Sequence, residues 1–291
     1  MIVPSEDARR AAAYRHCARI VRASDSSFAA AFWMLGRERR RALHAIYAFC
    51  RLADDIADDE TIRGDRRALL ERWREELDAA YAGRSRHPVG IALGDAVERF
   101  DLPRIWFEEL LEGIERDLGG AEIAEFRDLE RYCYCVASTV GLMIVGVLGL
   151  REPAVERYAI ELGIAVQLTN VLRDVGDDLG SGRVYLARAD LDRHGVTRDT
   201  LAAGVHTDAT RALLAEYAAR AHDRFDRARA ALPAEHVRAL RPAQAMGAIY
   251  FELLQRLERR GFPCLDHVVR LSRAERVGIA ARVWLAPGLA A

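Results

Sequence analysis

Two short stretches place carboxylates where helical spacing lets them act together. In "YAFCRLADDIADDE" (47–60), Asp54 and Asp58 stand at i and i+4, with Arg51 one turn before Asp54 and Tyr47 about two turns back. In "NVLRDVGDD" (170–178), Asn170, Asp174 and Asp178 stand at i, i+4 and i+8, and Gln167 joins the same side. Side chains at these spacings stack on one helix face. Like charges at i, i+4 cost a helix about 0.2–0.5 kcal/mol per pair, and a solvated face would normally place an arginine or lysine there. Each stripe instead follows an apolar run, which favours a shared counter-ion. Hard oxygens of this kind suit Mg²⁺, which keeps several waters and bridges protein to substrate phosphates. Asp55, Asp59 and Asp177 point off the stripes.

A third stretch, "YCYCVASTVGLMIVG" (132–146), is apolar and thin, with Val136, Ala137, Ser138, Val140 and Gly141 on one helix. Two readings stay open. The small residues could let another helix approach closely, or they could keep a wall shallow for a long apolar ligand. Taken with the aspartate stripes, the chemistry suggested is ionisation of an isoprenyl diphosphate. Metal and arginine would stabilise the leaving group, and a dry channel would shelter the allylic cation.

The elements that must position these residues are helical. The periodicity predicts helices near 5–23, 37–60, 65–82, 88–100, 103–117, 125–149, 152–178, 207–231, 235–260 and 272–284, and no strand-like alternation. Turn signals fall at 83–88, 117–120, 150–153 and 231–233, none long enough for an interdomain linker. The irregular stretch 179–206 follows the second stripe directly and suits a lid. Of the 291 residues 51% are hydrophobic, enough for a large core, and one all-α domain over 1–291 is the expected organisation. A formal net charge of −1 argues against nucleic-acid binding. All 43 basic residues are arginine, which excludes lysine Schiff-base chemistry and leaves phosphate contacts to guanidinium forks. Five scattered cysteines suggest a reduced, cytoplasmic protein without disulfides. The longest apolar run, 140–150, is too short to span a bilayer and reads as a buried helix. Peripheral attachment to the inner membrane stays open, as does the oligomeric state.

Five motifs together resemble the squalene/phytoene synthase family over nearly the whole chain: "SSF" (26–28), "YAFCRLADDIAD" (47–58), "YCYCVASTVG" (132–141), "LGIAVQLTNVLRDVGDDLGSGRVYL" (162–186) and "RPAQAMGAIYFELLQRLERRGF" (241–262). The resemblance implies a single helical isoprenoid-synthase-type domain around a central cavity, with the two Asp motifs facing each other. It implies Mg²⁺ (or Mn²⁺) at Asp54 and Asp58 and at Asn170, Asp174 and Asp178. It assigns Ser27, Arg51, Val136, Ala137, Gly141, Gln167, Asn170, Arg173, Arg183 and Arg273 to substrate binding. Tyr47, Arg51, Tyr132, Arg183, Tyr185 and Tyr250 become candidate catalytic residues. Ala187 departs from the family pattern, which usually has proline there, and Val171 stands where isoleucine is commoner.

Within that family, 26–28 and 241–262 look most like presqualene diphosphate synthases of hopanoid pathways, which condense two farnesyl diphosphates head to head. Phytoene synthase (from geranylgeranyl diphosphate), dehydrosqualene synthase and full squalene synthase share the remaining motifs, and NADPH would be needed only if the reaction ran on to squalene. A terpene cyclase is the rival on the same fold. From another class, a non-catalytic helical partner protein would fit if a stripe had lost a carboxylate, and neither has.

Overall fold

The computed structural model describes residues 5–24, 35–59, 61–120 and 122–285; Ser27 and the rest of the 26–28 motif lie outside them. The described residues are helical, with no strand among them. In chain order the helices are α1 (Glu6–Ala23), α2 (Arg37–Asp58), α3 (Arg66–Tyr81), α4 (Pro88–Phe100), α5 (Arg104–Gly119), α6 (Phe126–Leu148), α7 (Pro153–Arg173), α8 (Val175–Gly180), α9 (Arg188–His194), α10 (Arg198–Ala202), α11 (Asp208–Ala231), α12 (Arg241–Arg259) and α13 (Arg273–Leu285).

The chain forms two compact units. The first runs through Gly119 and takes up Leu142–Arg151; the second comprises Gly120–Gly141 and everything from Glu152 onward. Helix α6 therefore contributes residues 126–141 to the second unit and 142–148 to the first. In the first unit α1, α2 and α4 pack on one another, and α5 lies against α2 and α3. Phe49 anchors this core, stacked on Trp73 at 5.1 Å and edge-on to Phe107 at 5.6 Å. The starts of its helices are capped from the sequence: the Asp65 carboxylate accepts from the Arg67 and Ala68 N–H groups, and Pro88 opens α4.

In the second unit α7 packs along α11, and α12 lies against both and against α13. Helix α6 begins with a capping box in which Glu125 and Asp128 satisfy each other's backbone N–H groups. A π-turn interrupts it at Tyr134–Ser138, where the Thr139 N–H donates to the Tyr134 carbonyl. Here α7 comes very close: a Cβ on Gly163 would stand 2.5 Å from Ser138 Cα, so only glycine fits. The Ser138 hydroxyl donates across the contact to the Ile160 carbonyl at 2.8 Å.

Three helical expectations need correction. The helix expected over 152–178 breaks at Asp174 (φ −104°, ψ 10°), separating α7 from α8. The helix expected from 235 starts at Arg241, after a 3₁₀ turn at Ala234–His236. The stretch 179–206 holds two short helices, α9 and α10. Although α6 is long and apolar enough to cross a membrane, it is mostly buried within the protein, as its continuous hydrophobicity leads one to expect of a core helix. All five cysteines are free and buried.

Candidate active site

In the first unit, α2 carries the first aspartate stripe on its last turns. Carboxylates there oppose the helix dipole, whose C-terminal end is already negative, and α2 has no basic residue in its last turn to compensate. Arg66 relieves the end from outside, donating to the Ala57 and Asp59 carbonyls. Burial, then the neighbouring charges of Asp58 and Asp117, push the Asp54 carboxyl up to about 8, against the opposing pull of Arg51. Asp117, on the last turn of α5, is the residue the sequence reading missed. Its one sequence signal was an acid at a helix C-terminus.

Arg51 pairs with Asp55 at 2.8 Å, one turn along α2, and its side chain is half exposed. Tyr47 is half-buried two turns back on the same helix. Asp59 lies off the stripe: its Oδ1 accepts from the Thr61 N–H at 2.8 Å and from the Thr61 hydroxyl at 2.7 Å. That pairing holds its carboxyl below the usual range and makes it a turn-forming group.

The second unit assembles the other stripe at the α7–α8 break. Because Asp174 leaves helical geometry, its carboxylate can face the preceding residue. Arg173 grips it with a fork, Nε to Oδ1 at 2.7 Å and Nη2 to Oδ2 at 2.5 Å. Burial works against the Arg173 charge, but Asp174 and the Tyr250 hydroxyl more than offset it and hold the guanidinium above the usual arginine range. Just past the break the 264–265 backbone comes close to Gly176, where an added Cβ would meet the Leu265 carbonyl oxygen at 2.5 Å.

One turn before Asp174, Asn170 donates from Nδ2 to Gln167 Oε1 at 3.1 Å, while its Oδ1 is buried without a hydrogen-bond partner. A buried unsatisfied acceptor costs about 1–3 kcal/mol, and a cation or its bound water would remove that cost. Among the described residues, no three carboxylate, imidazole or thiol side chains converge as a ready-made metal cage. The donors present, the Asp174 carboxylate and the neutral amide oxygen of Asn170, are of the kind Mg²⁺ uses when substrate phosphates complete its shell. The residues therefore fit the metal that the sequence suggested.

Asp178, Arg183 and Tyr185 meet in a small cleft with Val171, Val175 and Leu186. The Tyr185 ring stacks on Tyr132 at 4.9 Å, and the Arg183 N–H donates to the Asp178 carbonyl at 2.8 Å. Asp177 points out to solvent. The thin face of α6 divides its labour. Ser138 and Gly141 meet α7, with the Gly141 Cβ position 3.0 Å from the Ala159 carbonyl oxygen, whereas Val136, Ala137 and Val140 are only partly buried. The close-approach reading of the small residues is met at Ser138 and Gly141. Arg273 opens α13 and is exposed.

Residues 21–275 match the family described as squalene/phytoene synthase. The chain is 36% identical over 269 residues to a phytoene synthase of Thermus thermophilus, covering 92% of this chain and 91% of that one. It is 32% identical over 271 residues to the chloroplastic phytoene synthase of Narcissus pseudonarcissus, of which it spans 64%. Among solved structures it resembles squalene synthase HpnC from Alicyclobacillus acidocaldarius (TM-score 0.80, 30% identity, 89% of this chain and 97% of that one). It also resembles a dehydrosqualene synthase solved with a ligand (TM-score 0.85, 28% identity, 96% and 98%). An all-α fold with paired aspartate motifs, matched over most of its length, identifies the chain as a member of the squalene/phytoene synthase family, the head-to-head prenyl diphosphate synthases.

Proposed function

We propose that the protein is a Mg²⁺-dependent prenyltransferase that condenses two farnesyl diphosphates head to head to presqualene diphosphate. The observation that carries the metal and diphosphate part of this reading is the second stripe: an orphaned buried Asn170 Oδ1 one turn from Asp174. Asp54 and Asp58 in one unit, and Asn170, Asp174 and Asp178 in the other, would hold the metal ions. Bound there, Mg²⁺ would neutralise the diphosphate and make it a better leaving group.

The chain's own residues do the rest. Arg183, and Arg173 where it turns from Asp174, offer planar forks that match phosphate oxygens. Tyr132 and Tyr185 present a stacked aromatic pair beside Asp178 and Arg183, whose π faces suit a developing carbocation. The partly buried strip of Val136, Ala137 and Val140 offers apolar surface to the prenyl chain and excludes water from it.

Two farnesyl chains are favoured by the likeness to a squalene synthase and a dehydrosqualene synthase, whose named products are built from two such chains. The second reading is phytoene formation from two geranylgeranyl diphosphates, favoured by the names of the sequence relatives. Incubation of purified protein with each diphosphate and Mg²⁺, with and without NADPH, followed by mass spectrometry, separates them. Presqualene diphosphate from the farnesyl substrate without NADPH is expected. Faster consumption of the geranylgeranyl substrate with accumulating phytoene would replace the first reading by the second.

A further inference from the structure

The segment between α8 and α9 carries Arg183 and Tyr185 but has no helix of its own. It is tied at both ends. At its start the Gly182 carbonyl accepts from Arg198 Nη2 at 2.8 Å, an exposed contact. At its finish the ties are buried: Leu186 is 2% exposed and Ala187 not at all. The Ala187 N–H donates to the Tyr217 hydroxyl at 2.7 Å, and that hydroxyl donates in turn to Asp190 Oδ2 at 2.9 Å.

Tyr217 is itself fully buried on α11, and its hydroxyl proton has one direction to take. Asp190 fixes that direction, and a guanidinium fork fixes Asp190: Arg220 donates Nη1 to Oδ2 at 2.6 Å and Nη2 to Oδ1 at 3.2 Å. Arg220 lies over the Phe126 ring at 3.9 Å and also donates to Glu216 at 2.5 Å. Arg193 and His194 close the network on Asp190 and Glu216. A plain apolar contact through Leu186 would have stabilised this end of the segment at less desolvation cost. A polar network centred on the buried Tyr217 and Asp190 adds a defined geometry instead. It is also referred to the right frame, since α11 packs along α7, which carries Asn170 and ends at Asp174. The Ala187 departure from proline acquires a use here: proline would have no N–H to offer Tyr217.

We propose that Tyr217, held by Asp190 and Arg220, is the positioning residue for the Arg183–Tyr185 segment, fixing where that segment meets the substrate diphosphate. This rests on the functional reading above, in which Arg183 and Tyr185 meet that group. A misplacement of about 1 Å at such a contact can cost about a hundredfold in rate, so the tie needs a rigid partner.

The test compares full-length Tyr217→Phe with Tyr14→Phe, which deletes the Tyr–Asp hydrogen bond of another buried tyrosine (Tyr14 to Asp95, 2.6 Å) in the first unit. Binding of inorganic diphosphate in saturating Mg²⁺ is measured by calorimetry, and steady-state kinetics are run beside it. Both variants should melt at lower temperature. Tyr217→Phe alone should weaken diphosphate binding about tenfold and raise KM more than it lowers kcat, the pattern of lost ground-state contacts. Should Tyr217→Phe fail to fold, Asp190→Asn, which keeps the side-chain shape, carries the same expectation. Diphosphate affinity and KM within about twofold of Tyr14→Phe would overturn the proposal. Arg183→Ala separates the two levels: if it weakens diphosphate binding and Tyr217→Phe does not, the positioning role alone falls. If Arg183→Ala has no effect either, the reading of the site falls and takes the proposal with it.

Discussion

Consecutive residues on a regular helix point about a quarter-turn and more apart, so Arg173 could not grip Asp174 if α7 ran on unbroken. The break at Asp174 makes the pair. Asp54→Ala and Asp174→Ala should each lower kcat/KM by roughly a hundredfold to a thousandfold, about 3–4 kcal/mol of transition-state stabilisation. Asp59→Ala should stay close to wild type, because that carboxylate serves Thr61. Equal losses at all three positions would show that the helical phase drawn for α2 is wrong. Asn170→Ala should raise the Mg²⁺ concentration for half-maximal activity by about tenfold and leave the circular dichroism spectrum unchanged; an unaltered Mg²⁺ requirement would remove Asn170 from the metal site. At this scale the aspartates were legible because their types and spacing are local. Asp117 was not, since its approach to Asp54 depends on how α5 packs on α2. The Arg173–Asp174 fork was not either, because periodicity assumes the helix that this pair requires to be broken.

At the scale of elements, the closest approach in the second unit is the most sensitive to substitution. Gly163→Ala pushes a methyl into the Ser138 backbone and should destabilise the protein by at least about 1–3 kcal/mol in urea titration; wild-type stability would mean that α6 and α7 can separate at little cost. The network on α11 predicts a pH signature. Burial pushes the Asp190 carboxyl up, and hydrogen bonds from Arg220, Tyr217 and Arg193 more than offset it, holding it below the usual carboxylate range. The folded pKa being depressed, its stabilisation is fully present above the unfolded value of about 4 and is lost as pH falls through the folded one. The stability gap between wild type and Asp190→Asn should therefore shrink below about pH 4, and a gap constant with pH would contradict the ionised network. Most helix ends were legible to within a residue or two, since capping residues and apolar periodicity agree at α1, α4 and α11. Helices α9 and α10 were not, because at seven and five residues they are too short for periodicity to register. They pack on elements that are not their chain neighbours, α9 on α11 and α10 on α8.

Across the whole molecule, periodicity and composition settled the class: helical, apolar enough for a large core, near-neutral, with every basic residue but histidine an arginine. Family membership followed from motifs spread along the chain, and the match over 21–275 agrees with them. The substrate's length was not legible, because it depends on which side chains end an apolar surface rather than on any motif. The central claim is that the carboxylate stretches work by holding metal with diphosphate, and turnover of prenyl diphosphate by metal-stripped protein tests it most directly. Protein stripped with EDTA should be inactive toward both farnesyl and geranylgeranyl diphosphate, and added Mg²⁺ should restore turnover. Undiminished turnover by the stripped protein would contradict the account.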